Sequence, residues 1–489
     1  LKAQAPSGKP NNTSRIITVI KEREITQQEL STAKAAVVDS FAAPKWYPQQ
    51  EEWVRDPKGS DNICFNYPLS LRFEGALDTE ALHKALEEIV RRHEVFRSVF
   101  SIKDGKLMQN VLENFPVSIS RMDLGTASEH QREARALELA RQDARAAFDL
   151  RREPLLRATL VRMGAADHIL LLTTHHLACD DWSTDILLGE LAQLYSHFSS
   201  GRPSTLPEVN YHYSDFVRQQ ASHTQGAELE FQVDYWSARY RGDDPFHYIK
   251  TDHPRDTVQP GKGGLEETTL SAELDDATAQ FSQKNGFSSF MIYAGAMLCL
   301  FHCYSAKEDV GVGICVANRN QEETEEVIGP LSNRILLRVP LPSRIAIREV
   351  LERVRKATWE AYSFQEIPYG ELVEKAAPAR KSNHNRLFQG LIAFTNAPKR
   401  SREFSGLKVS RFAFDPGIAC CDFYICLRHD HGLRLAIQYD AGLFNRETIQ
   451  QIVSDYEHIL ETIIRQPEVL LKDLRVSPGL HAAAQMIAR

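Results

Sequence analysis

No two of the eight cysteines, Cys64, Cys179, Cys299, Cys303, Cys315, Cys420, Cys421 and Cys426, stand at CxxC spacing. That absence excludes the paired ligands of a zinc ribbon and the regular framework of a small disulfide-stapled fold. The thiols are therefore expected to be reduced, in a cytoplasmic protein. No apolar run reaches the roughly 20 residues needed to cross a bilayer. The longest, from Phe290 to Phe301, falls short, and the amino terminus has no signal-peptide core, so no membrane partner is expected. Positive charge is not in excess either: 58 Lys and Arg against 65 Asp and Glu give a formal net charge of −7. With no basic stripe interleaved with aromatics, nucleic acid is not expected as a partner. There is no repeat at a solenoid period.

What is present is an ordinary globular composition, 43% hydrophobic and 25% charged over 489 residues. That length is too great for one core and predicts two lobes of roughly 200 residues each. The first residues, LKAQAPSGKPNNTSR, are polar and linker-like. Residues 1–42 read as a linker or leader, as in a segment cut from a longer polypeptide, followed by lobes over 43–222 and 223–489.

The segment from Asn66 to Ala76 reads as a strand, followed by a helix with Asp78 as N-cap and Leu82, Leu86, Ile89 and Val90 on one face. Strand candidates EVFRSVFSI and KLMQNVL come next, so the class is mixed α/β. Ile169–Thr174 is a continuous apolar run of strand length, as expected for a strand buried on both faces. It ends at His175-His176. Ser183 is a good N-cap for a helix striped by Leu187, Leu191, Leu194, Tyr195 and Phe198 and closed by Gly201. NYHYSDFVRQQ through WSARYRG reads as one helical block between the lobes. LEETTLSAEL reads as a strand, Phe290–Phe301 as a buried helix, and DVGVGICVANRN as a strand running into a loop. FYICLR and LRLAIQY read as a hairpin around His429-Asp430-His431-Gly432, with a last helix over Arg446–Arg465.

The segment HHLACDDWS, from His175 to Ser183, carries the chemistry. A neutral imidazole beside a strand end can accept a proton or a hydrogen bond during acyl transfer, and a nearby carboxylate can fix the loop or the ring tautomer. On spacing alone, a catalytic pair and a core-plus-loop pair of histidines both stay open. His175, His176, Cys179 and Asp180 are crowded in one loop with no second ligand pair, so no metal is expected. Ser183 lacks a nucleophile elbow and suits the helix cap better.

HHLACDDWS resembles the HHxxxDG hallmark of condensation domains, in the chloramphenicol acetyltransferase-like group of acyltransferases, with Asp181 where the family has glycine. RRHEVFRSVF, YSDFVRQQ through YWSARYRG, TDHPR, DVGVGICVANRNQEETEEVIGPLSNRILLR, IPYGELVEK and NHNRLFQGLIAF match other family segments in order, from about Ala43 to Asp473. The resemblance implies two acetyltransferase-like lobes in a V-shaped pseudo-dimer, with His176 at the centre of a tunnel. It implies amide formation between a donor acyl thioester and an acceptor aminoacyl thioester. Both would ride on phosphopantetheine arms of carrier domains, which are the expected partners, and no cofactor is bound directly. The alternatives are ester formation, release to a free nucleophile or by cyclisation, and an inactive docking platform.

His176 would contact the attacking amine as general base or as orienting hydrogen-bond partner. His175 and Asp180 would support the site, with Asp180 paired to Arg92 or Arg97. Asn333, in a segment similar to the family's VNT motif, and Ser183 would contact substrate. Glycine at the position of Asp181 would serve a positive φ or a close backbone approach; the aspartate adds bulk and a charge expected to favour imidazolium at His176.

Overall fold

The computed structural model describes residues 36–477, apart from 57–60, 202, 224, 241–247, 256–261, 377–387, 396–399 and 430–431. The apolar run near 170 shows how the first half is built. Residues Asp167–His175 form a strand between Asn66–Glu74 and Leu156–Gly164, both antiparallel to it. Successive side chains of a strand point to opposite faces. Leu170 and Leu172 accordingly enter one core with Leu82, Leu86 and Leu187, whereas Ile169 and Leu171 enter another with Ala136, Leu139 and Ala140. Both faces are covered by helices: Thr79–Arg92 and Asp181–Ser200 pack together on one, and Glu129–Ala144 lies on the other.

A second sheet, six-stranded, runs in the order Asn333–Pro340, Asp309–Val316, Gly390–Thr395, Phe423–His429, Leu433–Asp440 and Gly263–Thr269. Gly390–Thr395 is parallel to both its neighbours, and the other pairs are antiparallel. Helix Ser289–Ser305 fills its core with Met297, Leu298, Cys299 and Phe301, between helices Ile347–Tyr362 and Arg446–Arg465. Among the described residues no single helix is long and apolar enough to cross a membrane.

Several expectations change at the element level. The helical block expected from NYHYSDFVRQQ through WSARYRG is two helices, Tyr213–His223 and Gly226–Tyr240. The strand expected over LEETTLSAEL ends at Thr269, because Ser271 accepts a hydrogen bond from the Leu274 amide and caps a helix from Ala272. Val37–Ala42, inside the expected linker, is a strand paired with Lys106–Leu112. Lys408–Arg411, inside the span given to the second lobe, pairs instead with Asn66–Glu74 at the edge of the first sheet. Phe404, just before it, packs on Phe73 and Tyr195 in the first core. The tip of the hairpin between Phe423–His429 and Leu433–Asp440, at 430–431, lies outside the described residues.

Candidate active site between the two sheets

Strand Asp167–His175 stops where its last residue pairs with Asn66, and the His176 amide still donates to the Phe65 carbonyl at 2.8 Å. The loop that follows is folded back by amides of Ala178 and Cys179 donating to the His175 carbonyl. One more residue turns the ring from core to cavity. His175 is fully buried between Trp53 and Phe148, its Nδ1 accepting from the Leu177 amide. Burial, with the neighbouring His176, lowers its pKa to about 3. It is a neutral core residue that anchors the loop.

His176 is half-buried and opens on a cavity of about 390 Å³ lined from both sheets. Tyr47, Phe65 and Tyr67 surround its ring, the last edge-on at 5.2 Å. A hydrogen bond with the Cys179 backbone engages one ring nitrogen, leaving the other for a ligand. Burial first, and then the Arg334 guanidinium, lower its pKa to about 4, against the opposing pull of Asp180 and Asp181. Asp181 does pull the ring toward imidazolium, as expected, but loss of solvation and the Arg334 cation outweigh both carboxylates and keep it neutral.

Asp180 caps helix Asp181–Ser200, accepting from the Ser183 amide at 2.8 Å and hydroxyl at 2.6 Å. Its carboxylate also accepts from the amides of Leu331 and Ser332, the Ser332 hydroxyl, and Arg319 at 3.0 Å. Burial alone would raise this carboxyl, but Arg319 and Ser183 hold it below the ordinary carboxylate range. The expected partner from the RRHEVFR segment is corrected on both counts. Arg92 pairs with Glu190 at 2.9 Å, ten residues further along the helix, or about 15 Å at 1.5 Å per residue. Arg97 donates to the Leu112 carbonyl. Arg319 comes from the loop after Asp309–Val316, where Asn318 takes a positive φ of 54°, a conformation asparagine tolerates better than most residues. Ser183 is the third residue of the helix rather than its cap, and it is fully buried. Its hydroxyl accepts from the Gly329 amide and from Arg319, so it is not a substrate contact. Asn333 is equally committed: its amide nitrogen donates to the carbonyls of Gln365 and Ile367, and its oxygen accepts from the amides of Arg334 and Tyr369. No capacity remains for a substrate; it positions the strand.

Asp181 is the first residue of its helix and is not among the non-glycine residues with positive φ, so backbone strain does not explain a glycine there. Its carboxylate crosses the cavity to accept from Tyr67, Thr395 and Arg428, the last at 2.9 Å. Burial would push the carboxyl up; Arg428, Thr395 and Tyr67 keep it below the ordinary range. Two of these donors, Thr395 and Arg428, lie on neighbouring strands of the second sheet, so Asp180 and Asp181 both tie helix Asp181–Ser200 to the other half of the molecule. The sequence reading missed Arg319, Arg334, Arg428, Tyr67 and Thr395, and the cavity-lining thiols of Cys64, Cys315, Cys420, Cys421 and Cys426. Arg319, Arg334 and Cys315 lie within the family-like segment DVGVGICVANRNQEETEEVIGPLSNRILLR, but no local pattern there shows which of its side chains face the cavity, and the others lie in no such segment.

Comparison with known proteins places the chain in a family and a fold. The family model for the condensation domain matches residues 46–484. Malpinin synthetase of Mortierella alpina is 32% identical over 464 residues, 93% of this chain and 6% of that relative's length. The chain thus spans a small part of the relatives it matches. The X-domain from teicoplanin biosynthesis has a TM-score of 0.76 at 22% identity, over 90% of this chain and 99% of its own. The first condensation domain of the calcium-dependent antibiotic synthetase, in complex with a substrate analogue, has a TM-score of 0.74 at 17% identity, over 90% of this chain and 100% of its own. These structures share the mixed α/β fold of this chain.

Proposed function

The chain belongs to the condensation domain family, and from that premise we propose that it joins an acyl group, held as a thioester on a donor carrier, to the amine of an aminoacyl thioester on an acceptor carrier. The observation that carries this reading is the neutral His176 ring, with one nitrogen held by the loop, facing a cavity lined from both sheets. The amine nitrogen attacks the thioester carbonyl carbon and the carbon–sulfur bond breaks. The amine loses one proton, and the departing sulfur of the donor arm leaves as the thiol.

The downward shift of the His176 pKa, caused by burial and then Arg334, favours one of the roles open to it. A ring with a pKa of about 4 is a poor resting place for a proton from an amine that titrates several units higher. Its lone pair still accepts a hydrogen bond from the neutral amine and aims the nitrogen at the carbonyl, so its contribution is chiefly orientation. His175, Asp180, Arg319 and Asn333 hold the geometry without touching the reactants.

Mixing the chain with loaded donor and acceptor carriers and weighing the acceptor intact tests the reading. A mass gain equal to the donor acyl group supports it. A second reading, a docking platform without turnover, is favoured by Asp181, whose carboxylate and three donors occupy part of the cavity. It predicts intact carrier or partner binding with no product from any pair.

A further inference from the structure

Arg334 is the second residue of strand Asn333–Pro340 and lines the cavity beside His176. The other arginines lining the cavity are matched by acids: Arg428 by Asp181, Arg402 by Asp185, and Arg411 and Arg434 by Glu267, at 3.7 and 3.6 Å. Among the described residues Arg334 has no carboxylate partner. The groups that bear most on its charge are the Tyr47 phenol and the thiols of Cys315, Cys420 and Cys421; burial pushes Tyr47, Cys315 and Cys421 up and keeps them neutral, while Cys64 and Arg334 hold the Cys420 thiol below its ordinary value. A guanidinium does not discharge in a protein, and the Tyr47 ring beneath it, 5.0 Å away, offsets only part of its lost hydration. The tyrosine covers a face of the planar group and leaves its N–H edges, which fit a carboxylate in bidentate fashion.

Resting on the condensation reading above, we propose that Arg334 is a specificity-determining residue that selects an acceptor amine carrying a carboxylate. Arg334 and His176 flank the same Tyr47 ring, at 5.0 and 6.3 Å, so an anion on one lies within a single residue's span of an amine on the other. That places the carboxylate a few bonds from the reacting nitrogen. It is either the side chain of a carrier-bound aspartyl or glutamyl group or the α-carboxylate of a free amino acid. Bound there, it neutralises a cation that otherwise depresses His176, so the proper acceptor also improves the ring as a hydrogen-bond acceptor.

The test offers wild-type chain and Arg334→Gln, with one loaded donor carrier, two sets of acceptors. One set is carriers bearing aspartyl, asparaginyl, glutamyl or glutaminyl groups; the other is free alanine against alaninamide. Wild type is expected to prefer the acid over its neutral amide in one set by about tenfold or more in kcat/KM, and the set that shows the preference identifies the source. In Arg334→Gln the ratio of acid to amide kcat/KM should fall to about one, whatever the change common to both acceptors. Equal use of acid and amide by wild type in both sets, or a preference that survives in Arg334→Gln, overturns the proposal. If no acceptor yields product, the condensation reading is what fails. Calorimetry with aspartyl- and asparaginyl-pantetheine amides then decides the site: tighter acid binding that is lost in Arg334→Gln sustains the anion site, and equal binding refutes it.

Discussion

A histidine of ordinary basicity loses its neutral form as the pH falls through about 6.5. His176, with a pKa of about 4, stays neutral further down, so its own step on the acid side of kcat/KM should lie near pH 4, below the fall set by protonation of the acceptor amine, which must be neutral to attack. Arg334 lowers this pKa and Asp181 raises it. Arg334→Gln should therefore move that step upward and Asp181→Asn should move it downward. A profile with no further step below that of the amine, or with a lower step that ignores both changes, would remove His176 from the rate. The neighbouring Asp180 acts through structure. Asp180→Ala leaves the fully buried Arg319 without its carboxylate, at a cost of about 3–5 kcal/mol. The loss should appear in the denaturant midpoint with the slope unchanged. Asp180→Ala with Arg319→Ala should cost less than the sum of the two, since each change removes the same pair; additive losses would argue against the pairing.

Among elements, what the sequence made legible is what local pattern encodes. Ile169–Thr174 was readable as a doubly buried strand because nothing but a two-faced burial suits such a run, and Asp78 was readable as a cap from its own neighbours. The same local logic misplaced the cap at Ser183, since Asp180 and Ser183 are both capping types and only the path of the loop selects between them. Partners of Asp180 were out of reach for a different reason: Arg319 is 139 residues away, and pairing across the cavity leaves no periodicity. Lys408–Arg411 was invisible too, a four-residue edge strand with mostly exposed side chains. Its anchorage is nonetheless testable. Phe404 is only 3% exposed and sits among first-core aromatics, so Phe404→Ala should destabilise the chain by about 3–5 kcal/mol. A change within about 0.5 kcal/mol, the range of an ordinary surface substitution, would show that the crossing segment carries no weight.

At the scale of the molecule, the cavity belongs to neither half alone. His176 and Tyr67 come from the first sheet and its loop, Arg334, Thr395 and Arg428 from the second. Among the ties that hold the halves in register are Asp180 with Arg319, Asp181 with Arg428, and the strand Lys408–Arg411 laid on Asn66–Glu74. A site divided in this way makes the position of His176 relative to Arg334, Thr395 and Arg428 depend on those ties. The most direct measurement is the intact mass of the acceptor carrier over time, with wild type and His176→Ala at equal concentration and matched melting temperature. The account predicts amide product with wild type and a rate lower by about 10²-fold or more with His176→Ala. Product formed at near wild-type rate by folded His176→Ala would contradict it.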